Sequence, residues 1–169
     1  DEGIEVPDGQ PGEICVRPLA PHLLFNGYFG DPQATADAYR DDWFLTGDLA
    51  RKDPQTGAFL FVDRKKDAVR FAGRNISTLE VESVVLRHPQ VKEAAAFGIA
   101  SDQLASEDEL KLNVVLKEGE ELSPEALCEF INQNAPHYFV PRYLEFVDAL
   151  PYTPTNKVQK FALRDAGIN

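Results

Sequence analysis

Apolar and polar residues alternate with period two through the opening part of the chain and change to helical spacing beyond it. Gly12-Glu13-Ile14-Cys15-Val16-Arg17 reads as a half-buried strand, because successive strand side chains point to opposite faces. Asn26-Gly27 signals a turn. Asp31-Pro32 then opens a short helix, with Asp31 as N-cap and Pro32 at the first helical position, where its missing N–H is not needed. Phe44 to Ala50 predicts a strand broken at Gly47. The turn Asp53-Pro54-Gln55-Thr56-Gly57 leads into a strand over Ala58 to Val62. Residues 12–63 thus read as short strands and turns with too little apolar surface to bury themselves, as the end of something larger would be.

From Asp67 the period changes. Ala68 to Phe71 predicts a short strand and Gly73-Arg74-Asn75 a turn. Ser77 and Glu80 form a capping box for a helix whose apolar face holds Val81, Val84 and Val85. Val91 to Ile99 and Leu110 to Leu116 read as strands. Ser123-Pro124-Glu125 opens a second helix, with Leu122 and Leu127 spaced for a hydrophobic staple. Tyr143 to Val147 is a third strand, and Phe161 to Ala166 a terminal helical turn. The expected fold class is α+β. A small β-rich subdomain over residues 1–65, the end of a large domain, precedes a compact α+β lid domain over residues 66–169 with a three-stranded central sheet and flanking helices.

Composition narrows the classes. The 169 residues carry a formal net charge of −11 and a pI of about 4.7, which excludes nucleic acid as the main partner because phosphate binding needs a basic face. No apolar run approaches the ~20 residues of a membrane span. The opening Asp-Glu-Gly-Ile-Glu has no signal-peptide character. Cys15 and Cys128 read as buried thiols of a reducing compartment, and a cytoplasmic location is expected. His22, His88 and His137 lack metal-ligand spacing, so no metal-binding residue is expected.

Charge is unevenly spread. Between Arg64 and Arg74 stand five cations (Arg64, Lys65, Lys66, Arg70, Arg74) and one anion, Asp67. In an acidic protein this is the one segment offering an anionic ligand a local positive field. Between Asp102 and Glu129 stand nine acids with only Lys111 and Lys117, a block that reads as a solvated face.

Three segments can carry chemistry. In Trp43-Phe44-Leu45-Thr46-Gly47-Asp48-Leu49 a carboxylate follows a glycine on an apolar strand; Asp48 can accept hydrogen bonds from a diol, or simply satisfy the amides of a turn. Asp63 to Ser77 is a charged run where the two patterns meet, suited to a hinge or to a plain linker. Leu150-Pro151-Tyr152-Thr153-Pro154-Thr155-Asn156-Lys157 presents one cation on a proline-flanked loop, where it is either a solvated surface charge or an electrostatic catalyst.

Their order and spacing resemble the closing third of the AMP-forming acyl-adenylating enzymes: acyl-CoA synthetases, luciferases and the adenylation domains of nonribosomal synthetases. Gly12-Glu13-Ile14 through Gly27-Tyr28 and Pro32-Ala34-Thr35 resembles that family's motif preceding its ribose-binding Asp. Trp43 to Leu49 resembles its Thr-Gly-Asp motif, Asp63 to Glu82 its hinge and glycine loop, and Thr153 to Lys157 its catalytic-lysine motif. Asn75-Ile76-Ser77 before Glu80-Val81-Glu82, together with Tyr138 to Tyr143, is most similar to the crotonobetaine/carnitine–CoA ligase-like branch.

The resemblance implies roles. Asp48 would bind the ribose hydroxyls of ATP or AMP, and Arg64 would assist at ribose and phosphate. Lys66 falls at the hinge. Lys157 would contact the substrate carboxylate and the α-phosphate during adenylation. The loop around Gly73 would line the CoA tunnel in the second half-reaction, with Arg70 and Arg74 near CoA phosphates. The implied partners are a small carboxylic acid, ATP with its Mg2+ (not held by this segment), CoA, and an N-terminal domain of the same chain.

Two positions depart from the family pattern. Asn156 stands where glycine usually precedes the catalytic lysine, and Asn is the residue that best tolerates a left-handed backbone in glycine's place. Arg74 stands where many relatives of the nearest branch carry an acid. No Ser/Thr/Gly-rich phosphate loop is present, so the expectation is the C-terminal portion of an acid–thiol ligase, inactive by itself. The alternatives are an adenylation domain loading a carrier protein and a binding module that kept the fold without catalysis.

Overall fold

The computed structural model describes residues 3–71, 73–101 and 107–167, and the chain divides into two compact units, Asp1–Lys66 and Asp67–Asn169.

The first unit is built on one long strand. Strands β1 (Pro11–Val16), β2 (Tyr39–Arg40), β3 (Trp43–Lys52) and β4 (Phe59–Arg64) form an antiparallel sheet. In it β3 pairs with β1 along its length, with β2 at its start and with β4 at its end. Helix α1 (Pro32–Asp37) starts as its sequence predicts, Asp31 accepting from the Ala34 N–H at 2.8 Å. Phe25, Tyr39 and Phe44 pack ring against ring beside it.

Gly47 does not break β3. Between the pairs Glu13↔Leu49 and Cys15↔Leu45, β3 takes four steps where β1 takes two, so the strand absorbs Gly47, at φ +71°, as a bulge and continues. Cys15 is exposed, contrary to the buried thiol expected, because it lies on an edge strand of a sheet with little packed against it. Among the described residues of this unit only Leu49, Ala50 and Asp63 are buried, while Phe29, Phe59, Leu60 and Phe61 are exposed.

The second unit holds the main core. Strands β5 (Val69–Phe71) and β6 (Arg74–Ile76) form a hairpin, so Arg74 and Asn75 belong to a strand rather than to the turn. Strands β7 (Val91–Ala100), β8 (Asp108–Leu116) and β9 (Tyr143–Phe146) form a three-stranded sheet in the order β7-β8-β9, with β7–β8 antiparallel and β8–β9 parallel. Helices α2 (Thr78–Val85) and α3 (Pro124–Asn134) begin at the predicted caps, Ser77 accepting from Glu80 N–H and Ser123 from Ala126 N–H, each at 3.2 Å.

Val81, Val85, Leu112, Val114, Leu127 and Ile131 are fully buried in one cluster, with Leu122 packed against it as the staple requires. At roughly 1.5–3 kcal/mol for each buried aliphatic side chain, this cluster outweighs any single polar contact in the unit. Ala95, Val115 and Leu150 form a second cluster, joined by Val147, Val158 and Leu163.

Strand β8 is therefore covered on both faces, which corrects the reading of Lys111 as part of a solvated surface. Lys111 is 3% exposed, and its ammonium stands 2.8 Å from Glu145 Oε2 and donates to the Gly167 carbonyl at 2.7 Å. Residues 102–106 of the acidic block lie outside the described residues. Of the rest, Glu118, Glu120, Glu121, Glu125 and Glu129 are exposed and Glu107 to Glu109 half-buried.

Candidate functional site

The bulge in β3 aims Asp48. Its backbone groups do not fit the ladder, and Glu13 of β1 supplies what the ladder omits: Oε1 accepts the Gly47 N–H at 3.0 Å, while Oε2 pairs with Lys65 Nζ at 2.8 Å. Thr46 Oγ1 donates to the Ile14 carbonyl at 2.8 Å and accepts from Asp48 N–H at 3.1 Å. The Lys65 N–H closes on the Gly47 carbonyl at 2.8 Å. A loop-like excursion is thereby tied down inside a sheet.

Asp48 and Arg64 are cross-strand neighbours on β3 and β4, with Arg64 Nε 2.8 Å from Asp48 Oδ1. Oδ1 is buried and, among the described residues, accepts no hydrogen bond. The two are charge-paired, and the exposed remainder of the carboxylate side chain is what a ligand's hydroxyls can meet. Both remain partly exposed, so the pair itself contributes little to stability. Lys66 is exposed in the turn after β4 and is the last residue of the first unit.

In the second unit, Gly73 sits in the β5–β6 turn at φ +71°, with open space, among the described residues beyond its chain neighbours, where a Cβ would stand. Two carboxylates hold this hairpin by its backbone: Glu107 Oε1 accepts from Gly73 N–H at 3.2 Å, and Asp108 Oδ2 from Arg70 N–H at 3.3 Å. Arg70 is exposed. Arg74 is engaged differently, its guanidinium 5.3 Å above the centre of the Tyr138 ring.

Lys157 tops a loop closed by its own hydrogen bonds. Tyr152 and Val158 form an isolated antiparallel bridge. Within it Thr153 N–H donates to Lys157 O at 2.8 Å, Asn156 N–H to Thr153 O at 2.9 Å, and Lys157 N–H to Thr153 Oγ1 at 3.0 Å. Asn156 has φ +61°, the left-handed conformation for which it stands in for glycine. The Lys157 side chain is exposed and pairs with no acid among the described residues.

Both flanks of the loop are anchored. On the leading side, the Tyr152 hydroxyl donates to Glu93 Oε2 at 2.7 Å; this bond lowers the pKa of Glu93 and raises that of Tyr152. On the trailing side, Lys160 at the start of helix α4 (Lys160–Asp165) meets Glu82 Oε1 and Thr78 Oγ1, each at 2.7 Å.

Sequence reasoning missed Glu13, Glu93 and Lys160 as members of these sites. Glu13 and Lys160 flank recognisable motifs, but their partners lie 52 and 78 residues away, and no local signal joins them.

Residues 80–157 match the family described as the AMP-binding enzyme C-terminal domain. The chain is 39% identical over 98% of its length to a long-chain-fatty-acid–CoA ligase of Escherichia coli O6:H1, covering 28% of that protein. It is 38% identical over 92% of its length to the crotonobetaine/carnitine–CoA ligase of Proteus sp. strain LE138, covering 30%. Among solved structures, ATP-bound MatB from Rhodopseudomonas palustris superposes with a TM-score of 0.84 at 30% identity, over 98% of this chain and 32% of that one. The chain thus spans less than a third of the length of the relatives it matches.

Proposed function

We propose that this chain, residues 80–157 of which match the AMP-binding enzyme C-terminal domain, serves as the C-terminal portion of an AMP-forming carboxylic acid–CoA ligase. In the first half-reaction a carboxylate oxygen attacks the α-phosphorus of ATP, giving acyl-AMP and pyrophosphate. In the second, the CoA thiol attacks the acyl carbon, giving acyl-CoA and AMP. On this reading Asp48 accepts from the ribose hydroxyls and Arg64 supports it. Lys157 neutralises the charge gathering on carboxylate and α-phosphate as the new P–O bond forms. Mg2+ enters with ATP, and no residue of this chain is assigned to it.

Residues 1–65 are then the end of the large domain, and residues 66–169 a mobile domain turning about Lys66 between half-reactions. The Gly73 hairpin lines the path of the CoA arm, where a bare backbone permits close approach. Arg70 is free to meet a CoA phosphate, while Arg74 meets one only by leaving Tyr138. The exposed Phe59, Leu60 and Phe61 support a first unit completed by further chain, so the segment alone is inactive. Among the described residues no helix is long and apolar enough to cross a membrane.

The observation that carries the reading is Lys157 itself, an exposed cation, paired with no acid among the described residues, at the tip of a hydrogen-bonded loop. In the full-length ligase, Lys157→Ala is expected to abolish acyl-AMP formation, scored by pyrophosphate release. A supplied acyl-adenylate should still be converted with CoA. Gly73→Trp should do the reverse. Unimpaired adenylation by Lys157→Ala would remove Lys157 from the mechanism.

A further inference from the structure

Helix α4 begins three residues after Lys157, yet it has only six residues, none buried, and no side-chain N-cap. A helix that short is not stable by itself, so its position is set by what its side chains grip. Leu163 packs on the second apolar cluster, and Lys160 and Arg164, one helical turn apart and on the same face, add two polar anchors. Lys160 Nζ stands 2.7 Å from Glu82 Oε1 with both side chains nearly covered, at 14% and 13% exposure, and it also donates to Thr78 Oγ1. Arg164 Nη2 stands 2.6 Å from Oδ1 of Asp67.

Glu82 is itself fixed. Strand β7 is an edge strand, and the Ala96 N–H on it donates at 2.9 Å to the same Oε1 of Glu82. The Lys160 ammonium therefore closes a chain of contacts from the sheet edge, through α2, to the trailing end of the Lys157 loop. An ion pair this covered is costly to break by removing one partner, and Glu82, held by the Ala96 N–H, has a single place to stand.

We propose that Lys160 is a positioning residue for adenylation: its ion pair with Glu82 fixes the trailing flank of the loop and so the reach of the Lys157 ammonium. The proposal rests on the assignment of Lys157 to the adenylation step. An ammonium displaced by an ångström loses alignment with the α-phosphate, and losses of about a hundredfold follow from shifts of that size. The CoA step uses the Gly73 hairpin, on other elements, and is spared.

The test uses the full-length ligase with Lys160→Met, Lys160→Arg and Lys157→Ala in parallel. Single-turnover pyrophosphate release reports adenylation, and CoA-dependent consumption of supplied acyl-adenylate reports the second step. Lys160→Met is expected to slow adenylation about tenfold to a hundredfold at unchanged KM for ATP while sparing the second step. Lys160→Arg should recover most of the loss. If Lys160→Met does not fold, Lys160→Gln, which retains donors for Glu82 and Thr78, carries the same comparison. Equal loss in both steps marks a merely structural residue and overturns the proposal, as does an unchanged adenylation rate. If Lys157→Ala leaves adenylation intact, the reading of Lys157 has failed instead.

Discussion

Arg64 Nε stands 2.8 Å from Asp48 Oδ1 across the β3–β4 ladder, yet Oδ1 accepts no hydrogen bond from it. The pairing is one of charge, and it leaves open the acceptors on the exposed part of the carboxylate. If those acceptors serve a ribose diol, Asp48→Asn in the full-length enzyme keeps the shape and loses the charge. AMP affinity should then fall about tenfold to a hundredfold, as the loss of charge-assisted hydrogen bonds implies. Arg64→Met should cost less than about tenfold, because the pair is open to solvent. Calorimetric titration with AMP distinguishes the two, and wild-type affinity in Asp48→Asn would exclude the ribose role.

Glu13 should matter nearly as much as the residue it supports. Glu13→Gln keeps an acceptor for Gly47 N–H but loses the charge pair with Lys65; Glu13→Ala loses both and leaves a half-buried amide unsatisfied. An unsatisfied amide costs about 1–3 kcal/mol. Glu13→Ala should therefore raise the KM for ATP and lower Tm more than Glu13→Gln does. Identical behaviour of the two variants would mean that the bulge does not need the Glu13 oxygen.

The reach of local sequence signals explains which parts of this molecule were legible. Asp31, Ser77 and Ser123 each act within three residues of their own helix, and each begins a helix where predicted. Gly47 was misread because its strand is rescued by a side chain 34 positions away. Lys111 was misread because its surroundings are acidic in sequence but apolar in space, with Glu145 arriving from a strand paired in parallel. That Lys157 stands on a loop was legible from its flanking residues, whereas the contacts that hold the loop, Tyr152–Glu93 and Lys160–Glu82, join segments far apart in the chain.

Asn156 tests whether backbone conformation alone is required before Lys157. Its φ of +61° suits Asn or Gly and strains a β-branched residue. Asn156→Gly should leave adenylation within about twofold of wild type, whereas Asn156→Val should cost about 1–2 kcal/mol of local stability and slow adenylation. Melting temperature and pyrophosphate release measure the two effects. Normal adenylation by Asn156→Val would show that the loop tolerates a different backbone path.

The Tyr152–Glu93 hydrogen bond gives the leading flank of the loop a pH window. The tyrosine hydroxyl depresses the Glu93 pKa, so that contribution is complete above the ordinary carboxylate range and disappears as pH falls through the lower folded-state value. The same bond raises the Tyr152 pKa, so the contribution is complete below the ordinary tyrosine value and is lost as pH rises through the higher folded-state one. Tyr152→Phe should therefore lower stability by about 1 kcal/mol or less near neutrality, a modest figure because Tyr152 is largely exposed. The difference from wild type should shrink towards zero at both acid and alkaline extremes. Thermal melts of the two proteins across that range supply the comparison, and a pH-independent difference would assign the loss to packing of the ring rather than to the hydrogen bond.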